Sequence, residues 1–271
     1  MATLLCTVRD CHLPLVGEER RLVCARGHSY DVARSGYINL LQPQDRRSSK
    51  PGDTAAAVAA RRRFLDRGFG AALVEAIVEA LPLTAADAVL DAGCGEGHHL
   101  AAIRDRFGCA AYGVDISVAA IDAAARRHPQ VEWIVANADR FVPFADSSFH
   151  AVCSITARMN PPEFRRVLND DGTLLVVLPA PDDLLELREA ILGERVMRDR
   201  TAHAITEFSP LFSLRNRERI STVAHLDHGA IEDVMTSSYR ALRHSERARM
   251  EAVSELKVTL SRDLLLFRCS E

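Results

Sequence analysis

The chain has 271 residues, 48% of them hydrophobic, enough for one large domain and a small one. It has no run of 18 apolar residues, which argues against a transmembrane helix, and its opening Met-Ala-Thr-Leu-Leu-Cys lacks a basic-then-apolar leader pattern. The net charge of −3 hides an asymmetry: residues 1–68 hold twelve Arg or Lys against seven Asp or Glu, a balance of +5, so the remainder carries −8. A basic head on an acidic domain suits the delivery of a polyanion to a catalytic domain. There are seven cysteines, four of them scattered after residue 90. This odd, dispersed usage suggests reduced thiols in a cytoplasmic protein, with any cluster holding metal.

The first cluster comes at once. Four residues separate Cys6 from Cys11, twelve separate Cys11 from Cys24, and three separate Cys24 from His28. Two close pairs at two tight turns make a tetrahedral Cys3His site, the structural zinc arrangement. His12 is a rival for His28, but it neighbours Cys11, where a strand would turn it to the opposite side. Short strands are expected at 13–15 and 21–23, around a turn at Gly17-Glu18-Glu19. With few apolar side chains, this module would draw its folding free energy from the metal. Closed coordination would leave the metal no part in chemistry.

Gln42 to Gly52 reads as a polar linker in which Arg46, Arg47 and Lys50 are candidate phosphate contacts. Asp53 can cap a helix from Thr54 to Arg67 that Gly68 stops. Arg61, Arg62 and Arg63 span a wide arc of that helix, so at least one should face away from any bound polyanion. A second helix, Ala71 to Leu81, leads to the stretch that organises the rest.

Residues 88–97 read Ala-Val-Leu-Asp-Ala-Gly-Cys-Gly-Glu-Gly. Ala88 to Leu90 is expected as a buried parallel strand and Ala101 onward as a helix. A strand, a glycine loop and a helix form a nucleotide-binding turn, with glycine required where a ligand lies against the backbone. The dinucleotide order G-x-G-x-x-G fails, because its third position is His98. The loop is instead G-x-G-x-G preceded by Asp91, which resembles motif I of class I S-adenosylmethionine-dependent methyltransferases. The next apolar run, 111–114, ends at Asp115, twenty residues after Gly95 and placed to accept both ribose hydroxyls.

A helix capped by Ser117 follows, then a third strand, Val131 to Ala136, closed by Asn137-Ala138-Asp139. In class I methyltransferases an acid here commonly receives the adenine amino group, and Asp139 matches. Phe149 to Ile155 is the fourth strand, and the loop 156–160 lies where the transferred methyl should point. A helix opened by Pro161-Pro162 and a turn at Asp171-Gly172 lead to the fifth strand, Thr173 to Leu178. Residues 184–216 read as largely helical, an insert over the site. A strand at 220–226, a helix at 231–235 and a strand at 264–269 close the sheet. The expected class is α/β: a Rossmann-like doubly wound sheet with a small N-terminal zinc ribbon. Its expected boundaries are 1–41 for the ribbon, 42–70 for a basic linker and helix, and 71–271 for the methyltransferase domain.

Beyond motif I, the run from Cys24 through His28 to Gly36-Tyr37-Ile38-Asn39-Leu40-Leu41, then Pro51-Gly52-Asp53, then residues 60–66 resembles the 23S rRNA (guanine-N1)-methyltransferases. Members of that family modify a hairpin loop near the peptide exit tunnel, and some confer macrolide resistance. The resemblance implies S-adenosylmethionine and structural zinc as cofactors, a 23S rRNA hairpin as partner, and a homodimer. The expected cofactor contacts are Asp91, Gly93, Gly95, Glu96, Gly97, Asp115, Ile116, Asp139, Ser154 and Asp183. The expected zinc ligands are Cys6, Cys11, Cys24 and His28.

Two features depart from the family pattern. The first cysteine pair usually has two intervening residues, not four, and Asp183 stands where a His is frequent. They motivate a rival reading, a paralogue methylating a small purine-like heteroaromatic. A third reading is a non-enzymatic zinc-ribbon RNA-binding factor. For guanine N1 a base must remove a proton, and Asp31, Asp53 and Asp183 are candidates among which the sequence does not choose.

Overall fold

A computed structural model of the chain describes residues 2–45, 51–238 and 243–270. The candidate phosphate contacts Arg46, Arg47 and Lys50 lie outside the described residues. The N-terminal module holds β1 (Leu15–Glu18), β2 (Arg21–Cys24) and β3 (Ser29–Asp31), an antiparallel three-stranded sheet. Next come β4 (Ile38–Asn39), α1 (Ala55–Asp66) and α2 (Ala71–Ala80). The central units are β5 (Ala88–Ala92), α3 (His98–Phe107), β6 (Ala110–Asp115), α4 (Val118–Arg127) and β7 (Glu132–Val135). Then follow β8 (Phe149–Ile155), α5 (Pro161–Val167) and β9 (Leu168–Pro179). The chain closes with α6 (Leu185–Leu187), a π-helical turn (Arg188–Leu192), α7 (Thr201–Phe208), β10 (Phe212–Asp227), α8 (His228–Ser238), α9 (His244–Ala252) and β11 (Glu255–Cys269).

The large sheet has eight strands in the order β10-β11-β9-β8-β5-β6-β7-β4. The strands β4 to β9 of this sheet run parallel, β11 pairs antiparallel with β9, and β10 pairs antiparallel with β11. Strand order reverses between β5 and β8, so loops at their carboxyl ends diverge and leave a crevice there. The central strands are apolar on both faces, as parallel strands covered by helices must be: Val89, Leu90, Val152, Leu175 and Val176 are fully buried.

The small module is not held by metal alone. Cys6, Cys11, Cys24 and Tyr30 share one apolar cluster with Leu90, Tyr112 and Phe144 of the main domain. Leu5 N–H donates to the Pro143 carbonyl at 3.0 Å, and His12 stacks on Phe141 with ring centroids 4.1 Å apart. Ile38 and Asn39, at the end of the expected ribbon, pair with Ile134 and Val135 and extend the large sheet.

Several elements differ from expectation. Asp53 does not cap α1: Thr54 does, its hydroxyl accepting from Ala57 N–H at 3.2 Å, which leaves the Asp53 carboxylate for Arg61. The region 184–216 is only partly helical, because β10 begins at Phe212 and runs sixteen residues. The charged run 215–219 lies on this exposed strand: Arg217 and Arg219, two apart, both reach buried Asp263 on β11. The strand β5 runs two residues past Leu90, so Asp91 is buried inside the sheet rather than in the loop.

Candidate functional site

The glycine loop leaves β5 with three residues in the left-handed region: Gly93 at φ +91°, Gly95 at +57° and Gly97 at +82°. Gly93 and Cys94 N–H both donate to the Val114 carbonyl of β6, at 2.7 and 3.1 Å. Gly95 N–H donates to Asp115 Oδ2 at 2.9 Å, while Ser117 N–H donates to its Oδ1 at 2.8 Å. The Asp115 carboxylate is thereby fixed at the tip of β6, each oxygen keeping a lone pair for a ribose hydroxyl. Asp91 sits below, 1% exposed, with Oδ1 lacking a partner. Burial, reinforced by the Asp115 charge, pushes its carboxyl up to about 8.

The three glycines face different things. A Cβ on Gly93 would meet the Ala157 Cβ at 2.4 Å, and one on Gly97 would meet Trp133 Cη2 at 2.2 Å. At Gly95 the nearest atom is Arg61 Nη1, at 3.5 Å. Two of the three are therefore required by the protein's own packing rather than by a ligand, and only Gly95 opens toward the cleft. Glu96 is buried with Oε1 unpartnered, and burial pushes its carboxyl up to about 7 against the pull of Arg127 and Arg62.

Helix α1 roofs the loop. A Cβ on Gly52 would stand 2.6 Å from Ser117 Cβ, and Ser117 Oγ donates to the Asp53 carbonyl at 2.7 Å, so the chain before α1 rests on the start of α4. Arg61 pairs with Asp53 at 2.8 Å and donates to the Ser237 carbonyl at 3.3 Å. Arg62 lies 3.8 Å from Asp66, and Arg63 holds Asp233 at 2.5 Å. All three arginines have partners within the protein, so the triplet is not a free phosphate-binding face.

At the far end of the cleft, Asp139 pairs with Arg158 at 3.3 Å, and Asn160 Nδ2 donates to the carbonyls of Ala138 and Asp139 at 2.9 and 3.1 Å. Ser154 is buried, its hydroxyl donating to the Arg158 carbonyl at 3.3 Å and so shaping the loop after β8. Ile116 is half-buried and packs on the apolar cluster under α4.

A cavity of about 1170 Å³ opens over the other half of the sheet. It is bordered by Asp53 and Arg61, by Ile155 and Thr156 at the end of β8, by 179–181 at the end of β9, and by Asp183, His99 and Arg262. Two non-glycine residues beside it, Thr156 and Leu184, adopt φ of +52° and +51°, backbone strain of the kind that gathers at working sites. His99 Nε2 has no partner, and burial pushes its imidazole down to about 3, so the ring is neutral. Asp31 is elsewhere, beside Glu18, Arg20 and Arg21 on the ribbon, so of the three candidate bases the structure gathers only Asp53 and Asp183.

In the ribbon, one atom from each of Cys6, Cys11, Cys24 and His28 lies within 4.8 Å of the others. His28 Nδ1 is 3.3 Å from Cys6 Sγ and 3.4 Å from Cys24 Sγ, and the Cys11–Cys24 Sγ distance is 3.8 Å. A zinc ion with bonds of about 2.3 Å gives tetrahedral edges of about 3.8 Å, so the four donors fit zinc. The longer Cys6–Cys11 spacing is taken up locally: Asp10 turns at φ +62° and Cys11 N–H closes the turn on the Val8 carbonyl at 3.0 Å. His12 is no ligand, being stacked on Phe141.

Residues 5–50 match the family model "RlmA, N-terminal", a zinc ribbon, and residues 89–173 match a methyltransferase domain. The 23S rRNA (guanine(748)-N(1))-methyltransferase of Streptomyces fradiae is 36% identical over 93% of this chain and 92% of its own length. The chain belongs to the 23S rRNA (guanine-N1)-methyltransferase family. A Bacillus subtilis protein, YxjB, proposed to carry the same activity, is 33% identical over 91% of this chain and 90% of its own. The crystal structure of YcgJ from Bacillus subtilis superposes with a TM-score of 0.53 at 16% identity, covering 73% of this chain and 98% of that one, so the two share a fold; with the methyltransferase-domain match over 89–173, that fold is the class I methyltransferase fold.

Within that family frame, sequence reasoning missed Arg61, His99 and Arg262. The signal for Arg61 was the turn spacing of α1 from Asp53, two helical turns away, which sets both over the glycine loop. No sequence signal marks Arg262, whose place depends on the pairing of β11 with β9.

Proposed function

We propose that this protein transfers a methyl group from S-adenosylmethionine to N1 of a guanine in 23S rRNA, in the cytoplasm, with the zinc ribbon binding the RNA. The observation that carries the reading is the division of the sheet at the β5–β8 reversal. On one side stand the residues suited to the donor: Asp91, the loop 93–97, Asp115 and Asp139. On the other lies the large cavity, suited to an extruded base.

In this reading Asp115 accepts the ribose hydroxyls. Asp139, paired with Arg158 of the Ser154-supported loop, lies at the adenine end. Arg61, over Gly95, meets the carboxylate of the methionine part. When bound, the sulfonium donor supplies an electrophilic methyl for in-line displacement. The chain's residues align N1 with it, exclude water and remove the N1 proton. The zinc, held by three thiolates and His28 with no open position, shapes the ribbon and takes no part in the displacement.

The acceptor is a hairpin loop, because only unstacked bases expose their pairing edge. The active form is a homodimer, which light scattering tests. Methylation at N1 blocks base pairing, so reverse transcription of treated 23S rRNA should stop at one guanine. A stop that appears without donor, or ribosomal RNA left unstopped after full incubation with it, would overturn the assignment. RNA affinity should also fall steeply with salt, as phosphate neutralisation requires.

A further inference from the structure

We propose that Asp183 takes the N1 proton of the acceptor guanine. The inference rests on the methyl-transfer reading above and names its base.

Position comes first. Asp183 follows β9, the strand beside β8, on the acceptor side of the reversal, and it borders the large cavity. Asp53 borders it too, but its carboxylate is engaged by Arg61 over the glycine loop, on the donor side. Glu194, Glu232 and Glu251 also reach the cavity but are exposed to solvent. Asp183 is 9% exposed.

Orientation comes second. A tight turn sets the residue: Asp183 N–H donates to the Ala180 carbonyl at 3.1 Å, and Leu184, at φ +51°, donates its N–H to Thr259 at 2.8 Å. Ser261 N–H donates to Asp183 Oδ1 at 3.0 Å, and the Arg262 guanidinium meets the same oxygen. Among the described residues, no hydrogen bond is recorded to Oδ2. One oxygen is thus anchored to β11, and the other remains for a ligand donor.

The surroundings suit the task. Burial pushes the carboxyl above its ordinary value, which makes it a stronger base, while Arg262 and, more remotely, Arg188 pull the other way. In the step, Oδ2 accepts the N1 proton. The freed nitrogen pair forms the N–CH3 bond as the S–CH3 bond breaks, and the sulfur leaves as a neutral thioether. Asp183 ends as a carboxylic acid and returns its proton to water, so atoms and charge balance.

Single-turnover methylation of 23S rRNA by the full-length protein tests this. Asp183→Asn should lose about 10²-fold or more in rate at neutral pH, with donor and RNA dissociation constants unchanged. The deficit should shrink as pH rises, since solvent then ionises N1 unaided, and formate should restore part of the rate to Asp183→Ala. Removing Asp183 also leaves Arg262 uncompensated, a destabilising change. The neutral double variant Asp183→Asn/Arg262→Gln and the charge-preserving Asp183→Glu are therefore measured beside it. The double variant should show the same pH-dependent deficit, and Asp183→Glu should keep more activity than Asp183→Asn. An Asp183→Asn rate within threefold of wild type overturns the assignment, as does a deficit equal at every pH and untouched by formate. Wild-type protein that leaves the RNA unmethylated would instead overturn the parent reading.

Discussion

The indole of Trp133 occupies the space that a side chain on Gly97 would need, Cη2 lying 2.2 Å from the ideal Cβ position. The same ring closes over Gly113, whose Cβ would meet Cζ3 at 2.4 Å. Trp133 on β7 thus fixes two backbones at once, the end of the glycine loop and the middle of β6. Gly97→Ala combines a left-handed backbone with this overlap and should cost about 2–4 kcal/mol in chemical denaturation. Gly95→Ala faces only a movable guanidinium at 3.5 Å. It should cost about 1–2 kcal/mol, the left-handed penalty alone, and act chiefly on donor affinity, which calorimetry reads.

Arg61 and Arg63, two residues apart and so on different faces of α1, should separate cleanly. Arg61→Met should raise the KM for S-adenosylmethionine about 10- to 100-fold, the range for a lost charge-assisted contact, with little change in kcat. Arg63→Met breaks the bond to Asp233, whose side chain is 9% exposed, and should lower the melting temperature with KM unchanged. Equal effects of the two on KM would contradict the donor-side placement of Arg61.

Much of this was legible beforehand, and the exceptions have common causes. The motif around Asp91, the carboxylate at Asp115, the N-cap at Ser117 and the Cys3His set are local patterns, and local patterns show in sequence. The roles of Asp53 and Arg61 were hidden because they depend on how α1 lies across α4, a tertiary relation. The exposed β10 was read as partly helical because an edge strand with charges on it lacks clean alternation. The explanation for Gly93 and Gly97 was incomplete because Ala157 and Trp133 are distant in sequence.

Donor binding should release protons. Burial holds Asp91 at about 8 and Glu96 at about 7, so both are largely protonated at pH 6 without ligand. A nearby sulfonium favours the ionised forms, so affinity should rise from pH 6 to 8, and calorimetry in buffers of different ionisation heat should detect the release. The sign for stability is opposite. Folding raises both values from 3.8 and 4.5, so their contribution is full below those values and declines as pH climbs through about 7 and 8. Unliganded protein should therefore lose melting temperature over that window, and a flat profile would contradict the buried, unpaired setting.

Tyr30 supports the metal from outside its ligand shell. Its hydroxyl lies 3.1 Å from Cys6 Sγ and 3.4 Å from Thr7 Oγ1, and the Thr7 hydroxyl reaches the Leu40 carbonyl beyond β4. Tyr30→Phe removes the hydroxyl that joins Cys6 to Thr7 and should weaken zinc about 10- to 100-fold in competition with a chromophoric chelator. An unchanged zinc affinity would show the hydroxyl to be incidental.

The most direct test incubates the protein with labelled S-adenosylmethionine, 23S rRNA and a panel of free purines in one vessel. The RNA is then digested to nucleosides for mass spectrometry. Label recovered as 1-methylguanosine from the RNA, at one site per molecule, is the expected result. Label in the free purines, in another nucleoside, or in nothing would contradict the account.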